Sequence, residues 1–157
     1  MILKDKKNTT NSNETSDSNE TSENNNNFEQ LIKQQDIDLA NLEKIGLFFL
    51  LYGYSIFVVG ANLDILEALD MNNTGYIPDS VTLYGQELVL TGYILLFIVA
   101  SKRVAEKAFR NKVTEENYDL GPYNLIATAY FLSVIANSLR VQAFAQIEIL
   151  ILNNREE

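Results

Sequence analysis

Residues 45–63 read IGLFFLLYGYSIFVVGANL, 19 residues without a charged side chain. A helix needs about 20 predominantly apolar residues to cross the hydrocarbon core of a bilayer. Two more stretches qualify. VTLYGQELVLTGYILLFIVAS at 81–101 carries one charge, Glu87, and LGPYNLIATAYFLSVIANSL at 120–139 carries none. Backbone polar groups in lipid must satisfy one another, which favours helix for each. The sequence therefore predicts an all-α integral membrane protein with three transmembrane helices, at about 45–63, 81–101 and 120–140 or longer.

Outward from these spans the chain changes character. Residues 1–27, MILKDKKNTTNSNETSDSNETSENNNN, are dominated by Asn, Ser and Thr and contain a tandem hexapeptide, SNETSD at 12–17 and SNETSE at 18–23. Such a segment buries too little apolar surface to offset its ordering entropy, so a disordered N-terminal tail is expected. Asn8, Asn13 and Asn19 begin N-x-[ST] triplets, read here as products of that composition. In residues 28–44 Phe28, Leu31, Ile32, Leu39 and Leu42 recur at helical spacing, which predicts an amphipathic juxtamembrane helix. The three-helix membrane domain is expected over 45–152, with a polar C-terminus at 153–157. The mean hydropathy of −0.06 averages over these unlike parts.

Composition removes much chemistry. The 157 residues include 12 basic and 21 acidic side chains, a formal net charge of −9. Nucleic acid is not expected as a partner, because phosphate binding needs clustered Lys and Arg. With no His and no Cys, an imidazole base, a Ser-His-Asp triad, a thiolate nucleophile and a Cys- or His-ligated metal are excluded. No phosphate-cradling glycine motif is present. No cofactor is expected.

Loop charges set an expected orientation. Residues 64–80 hold Asp64, Glu67, Asp70 and Asp79 without a basic residue, whereas 102–119 hold Lys102, Arg103, Lys107, Arg110 and Lys112. Lys and Arg favour the cytoplasmic side. The N-terminus and the 102–119 loop are expected to be cytoplasmic, and the C-terminus outside the cell membrane.

The stretch DMNNTGYIPDSV at 70–81 resembles an EF-hand calcium loop over those 12 residues only. Asp70, Asn72 and Thr74 match the alternating oxygen donors, Gly75 the sharp turn, and Tyr76 the carbonyl donor. Position 9 is Pro78, and position 12, where the family places a bidentate Glu, is Val81. The loop is a weak candidate metal site. The competing reading is turn chemistry, with short polar side chains bonding backbone groups.

The spans carry two further patterns. Gly46, Gly53 and Gly60 are seven apart, as are Gly85 and Gly92, and Ala129, Ser133, Ala136 and Ala143 share one face of the third span. Small residues let membrane helices approach closely, so these are candidate helix-packing positions, facing either one another or another subunit. Asn62, Glu87, Asn137 and Arg140 fall at a similar depth and form a candidate intramembrane polar cluster, with Glu87–Arg140 as its natural ion pair.

The expected function is that of a small multi-pass membrane protein acting through interaction, as subunit, assembly factor or regulator, with no catalytic activity evident. Its partners would be the bilayer and a membrane protein or further copies of itself. The alternative is an oligomeric channel, holin-like pore or small transporter using the polar cluster. An enzyme relying on Glu87, Asp64 or Asp70 is a third reading, in which nothing pairs these carboxylates with a nucleophile or metal.

Overall fold

The computed structural model describes the backbone of residues 15–114 and 116–155, with side chains from Asn27 onward except Phe28, Glu115 and Arg155. The tail expected over residues 1–27 lies for the most part outside this set; from Thr15 the backbone is helix. Three helices follow in order: α1 (Thr15–Ala68), α2 (Pro78–Val113) and α3 (Gly121–Arg155). Each contains a segment long and apolar enough to cross a membrane, and the chain is a three-span, all-α integral membrane protein. At 1.5 Å per residue α2 and α3 each exceed 50 Å, well beyond a hydrocarbon core of about 30 Å. The spans thus continue as helix past the apolar stretches.

The chain divides at residue 38. In the N-terminal part α1 is tied locally, Gln34 Nε2 donating to Asp38 Oδ1 one turn on at 2.9 Å. The part from Leu39 contains the spans.

The ends of the helices follow from local chemistry. Past Ala68, Met71 N donates to Leu66 O at 2.8 Å and Asp70 N to Glu67 O at 3.0 Å. This nested pair is a Schellman motif with Asp70 at the left-handed position, φ 55°. Pro78 opens α2, its ring fixing φ and its missing N–H costing nothing there. Asp79 lies in the first turn of α2 and Arg110 and Lys112 in the last, each suited to the helix dipole. Asp119 Oδ1 accepts from Gly121 N at 2.9 Å and so caps the start of α3.

α1 and α2 form an antiparallel pair with glycine at its crossing points. A methyl group on Gly53 would lie 2.7 Å from Gly85 O, and one on Gly92 would lie 2.8 Å from Gly46 O. At the far end a methyl on Gly60 would strike the Thr82 hydroxyl. The seven-residue rows extend to the buried Leu39 on α1, and to the buried Pro78, Val99 and Glu106 on α2. Seven residues are almost two turns, so such a row stays on one face. The glycine rows of the two helices therefore meet each other within one chain.

α3 packs on α2 in a different manner. Gln86 Nε2 donates to Asn137 Oδ1 at 2.7 Å, and Asn137 Nδ2 donates to Ser133 O at 2.7 Å. The rings of Phe97 and Phe131 lie 5.5 Å apart. Near the start of α2, Ser80 Oγ donates to Glu148 Oε1. This places a carboxylate from α3 beside the first turn of α2, where its N-terminal N–H groups are unpaired.

The α2–α3 connection is held by side chains. Asn111 brackets Tyr118, donating to its carbonyl at 2.9 Å and accepting from its N–H at 2.7 Å. Arg110 donates Nε and Nη2 to the two carboxylate oxygens of Glu116 at 2.7 and 2.8 Å. Both Lys107 and Arg110 also stand over the Tyr118 ring.

Candidate functional site

The residues singled out at the 64–81 turn bond one another. Asn72 Oδ1 accepts from Thr74 N at 3.2 Å and from Thr74 Oγ1 at 2.6 Å, and Asn72 Nδ2 donates to Tyr76 O at 3.1 Å. Tyr76 N in turn donates to Thr74 Oγ1 at 3.2 Å. Three of the oxygens that a calcium loop would aim at a cation, Asn72 Oδ1, Thr74 Oγ1 and Tyr76 O, are here engaged in a compact Asx and Thr turn. Gly75 has φ 76° with open space around it, and Asp70 closes α1. Between the turn and the end of α1 is a polar recess of about 340 Å³ lined by Glu67, Asp70, Asn72, Gly75 and Tyr76. Among the described residues no group of three His, Cys, Asp or Glu side chains is arranged to hold a metal.

Of the four residues grouped by depth, the fold buries one. Asn137 is 4% exposed and bonds Gln86, itself 1% exposed. Asn62, Glu87 and Arg140 are exposed on the surface of the bundle. Among the described residues no ion pair joins Glu87 to Arg140. The buried polar contact thus uses Gln86, one residue from Glu87 and about 100° around the helix. Charge within an apolar span singles out Glu87, whereas an uncharged amide such as Gln86 gives no comparable signal. Its face was legible: Gln86, Phe97 and Ala100 recur at helical spacing on the side of α2 that meets α3.

Gly46, Gly53, Gly60, Gly85 and Gly92 come together in the α1–α2 seam. The third set separates from them. Ser133 is half-buried, whereas Ala129, Ala136 and Ala143 are exposed. With Leu125, Leu132 and Leu139, exposed by 71%, 58% and 61%, these alanines make an alternating row with steps of four and three residues. That is the register of a helix–helix seam. It lies on the side of α3 away from Asn137, and α3 is the least buried of the spans.

At the opposite end of the spans from the polar turn, a groove of about 270 Å³ opens between the helices. Its floor is Leu96, Val99 and Ala100, all buried. Ile126 and Tyr130 form one wall. At the mouth Arg103 Nη2 donates to Glu43 Oε2 at 2.6 Å, each side chain about one-third exposed, with Tyr123 beside them. One turn further along α2, Glu106 is 4% exposed. Its Oε1 accepts from Lys107 Nζ at 3.0 Å, and Oε2 makes no hydrogen bond.

The arrangement offers helix-packing faces, one buried amide contact and a groove with a charged mouth. No protein-family model, curated protein or solved structure matches the chain, so its function must be argued from these features alone.

Proposed function

We propose that the protein acts through lateral association in the membrane, with α3 as the contact helix. The observation that carries this is the exposed row Leu125, Ala129, Leu132, Ala136, Leu139 and Ala143. Lipid chains accept any apolar surface and impose no spacing, whereas large and small residues alternating in heptad register suit another helix. α1 and α2 use small residues of the same spacing on each other, whereas the row on α3 is left exposed among the described residues. Two copies inserted in the same sense would present α3 in parallel, which sets equivalent residues at equal depth. On this reading the protein is a subunit, assembly factor or regulator rather than an enzyme.

The orientation that goes with it rests on the basic loop. The α2–α3 turn and N-terminus lie in the cytoplasm and the α1–α2 turn and C-terminus outside the cell membrane. Single cysteines at positions 75 and 110, in a chain that has none, test this with an impermeant thiol reagent. Position 75 should label in intact cells and 110 only after permeabilisation.

Association is tested by counting copies per particle in lipid nanodiscs. The wild type should give two or more, and Ala136→Trp should reduce the count to one. A wild-type count of one would refute association through a second copy.

A second reading rests on Glu87. Its carboxylate is exposed on α2 beside Thr91, whose hydroxyl bonds back to Glu87 O, and such a group in a membrane span marks a candidate ion path. An oligomer with Glu87 facing its axis would conduct cations, and Glu87→Gln would lower that conductance in liposomes.

A further inference from the structure

The groove at the Glu43–Arg103 end of the spans has the proportions and charges of a lipid site. Its floor runs from Arg103 to Leu96, seven residues or about 10 Å along α2. One end therefore lies among head groups while the other reaches among acyl chains. Leu96, Val99 and Ala100 make the floor continuously apolar, and Ile126 stands open at its side, 52% exposed. Tyr123 and Tyr130 add two phenols, at the mouth and partway in, and among the described residues neither hydroxyl makes a hydrogen bond.

The mouth carries one charge of each sign. Arg103 uses one N–H on Glu43 and keeps other donors of its planar fork, which match phosphate oxygens. Glu43 keeps Oε1 as an acceptor for an ammonium. An anion alone would meet a guanidinium already neutralised by its carboxylate. A head group bearing phosphate and primary ammonium next to each other would answer both charges.

We propose that this groove binds a glycerophospholipid of the ethanolamine type. Its phosphate sits on Arg103 and Tyr123, its ammonium on Glu43, and one acyl chain lies over Leu96, Val99 and Ala100 against Ile126 and Tyr130. This site is independent of association through α3, since it faces the cleft between helices and not the outer row of leucines and alanines. A quaternary ammonium head group has no N–H to give Glu43, and a glycerol head group has no cation at all.

The test is native mass spectrometry of the full chain extracted from nanodiscs containing equal parts of phosphatidylethanolamine, phosphatidylcholine and phosphatidylglycerol. One phosphatidylethanolamine per chain should be retained in preference to the others. Glu43→Gln and Arg103→Gln should each lower its retention by about tenfold, the loss expected for one charge-assisted hydrogen bond. Ile126→Trp leaves the ion pair intact and fills the groove from its open side, so it should displace the lipid from a chain of unchanged helicity. Equal or stronger retention of phosphatidylglycerol, drawn by the neighbouring Lys44 and Lys102, would overturn the assignment. So would phosphatidylethanolamine retention unaltered in Glu43→Gln or in Ile126→Trp.

Discussion

α2 packs against α1 and α3 by opposite means. Toward α1 it offers Gly85 and Gly92, which bring backbone against backbone at Gly53 and Gly46. Toward α3 it offers Gln86 and Phe97, which reach out as side chains to Asn137 and Phe131. Lipid supplies no hydrophobic drive between membrane helices, so each contact must come from packing or hydrogen bonding. The middle of the first interface is specified by close backbone approach, with side-chain bonds between Tyr54 and Tyr93 and between Glu43 and Arg103 beside it; the second is specified by side-chain identity. The two should therefore fail differently under mutation.

The largest effect is expected in the glycine seam. A methyl added at Gly53 or Gly92 meets a carbonyl oxygen of the facing backbone, at 2.7 and 2.8 Å. Backbone cannot rotate away, so α1 and α2 must separate. Gly53→Ala and Gly92→Ala should each cost about 1–3 kcal/mol, the range for overpacking a close-packed interior. Gly46→Ala should cost less, because its nearest neighbour, Gly92 O, stands at 3.2 Å. Steric-trap or denaturant unfolding in bicelles measures the order. A Gly46 variant as damaging as the Gly53 variant would break the account of the seam.

The next effect belongs to α2–α3. Gln86→Leu strands the Asn137 carbonyl in a buried place and should cost about 1 kcal/mol. Gln86→Leu combined with Asn137→Leu should cost less than the sum of the two singles, since no orphaned polar group remains. A double-mutant cycle reads this coupling directly. Additive costs would mean that the amides do not hold the helices together.

Asp70→Gly is expected to change stability in the other direction. Asp70 stands at the left-handed end position of α1, which glycine fills without a Cβ penalty. The substitution should stabilise by up to about 1 kcal/mol. Under the calcium-loop reading it would instead remove the first ligand, so the sign of the change, measured with and without calcium, separates the two readings.

The smallest effect is on acidification. Hydrogen bonds from Arg110 hold the Glu116 carboxyl below its ordinary value of 4.5. A lowered folded-state pKa gives stability that is complete above the ordinary value and is lost as pH falls through the folded one. The turn between α2 and α3 should loosen only under strong acid, with faster hydrogen exchange at the Tyr118 amide. The pair is exposed to solvent, so global stability should barely respond. Exchange that slows on acidification, after correction for the intrinsic rate, would contradict the sign.

The seam shows what was legible and what was not. Uncharged length fixed the three spans, and the glycine spacing marked the faces that pack. The helical periodicity of residues 102–113 and 141–154 carries α2 and α3 past the apolar runs, a continuation legible in the sequence even though hydropathy alone gives no boundary there. The partner of each face was hidden. Periodicity places a residue on a side of its helix but does not say which neighbour lies there, so two glycine rows that meet look the same as two that face other chains. The buried polar contact lies one residue from the charge on α2 for a similar reason. Residue count places Gln86 and Glu87 at one depth, while their directions differ by about 100°. At the 70–81 turn, donor spacing alone could not distinguish oxygens aimed at a cation from oxygens bonded to Asn72 and Thr74.

The central claim is that α3 keeps a helix-packing face that the described residues leave exposed. A cysteine scan along α3 in native membranes tests it, since the chain contributes no cysteine of its own. Oxidation should cross-link copies through positions 125, 129, 132, 136, 139 and 143, with minima at 130, 134, 137 and 141 on the side facing α2. Cross-linking that is uniform along the helix, or absent at 132, 136 and 139, would contradict it.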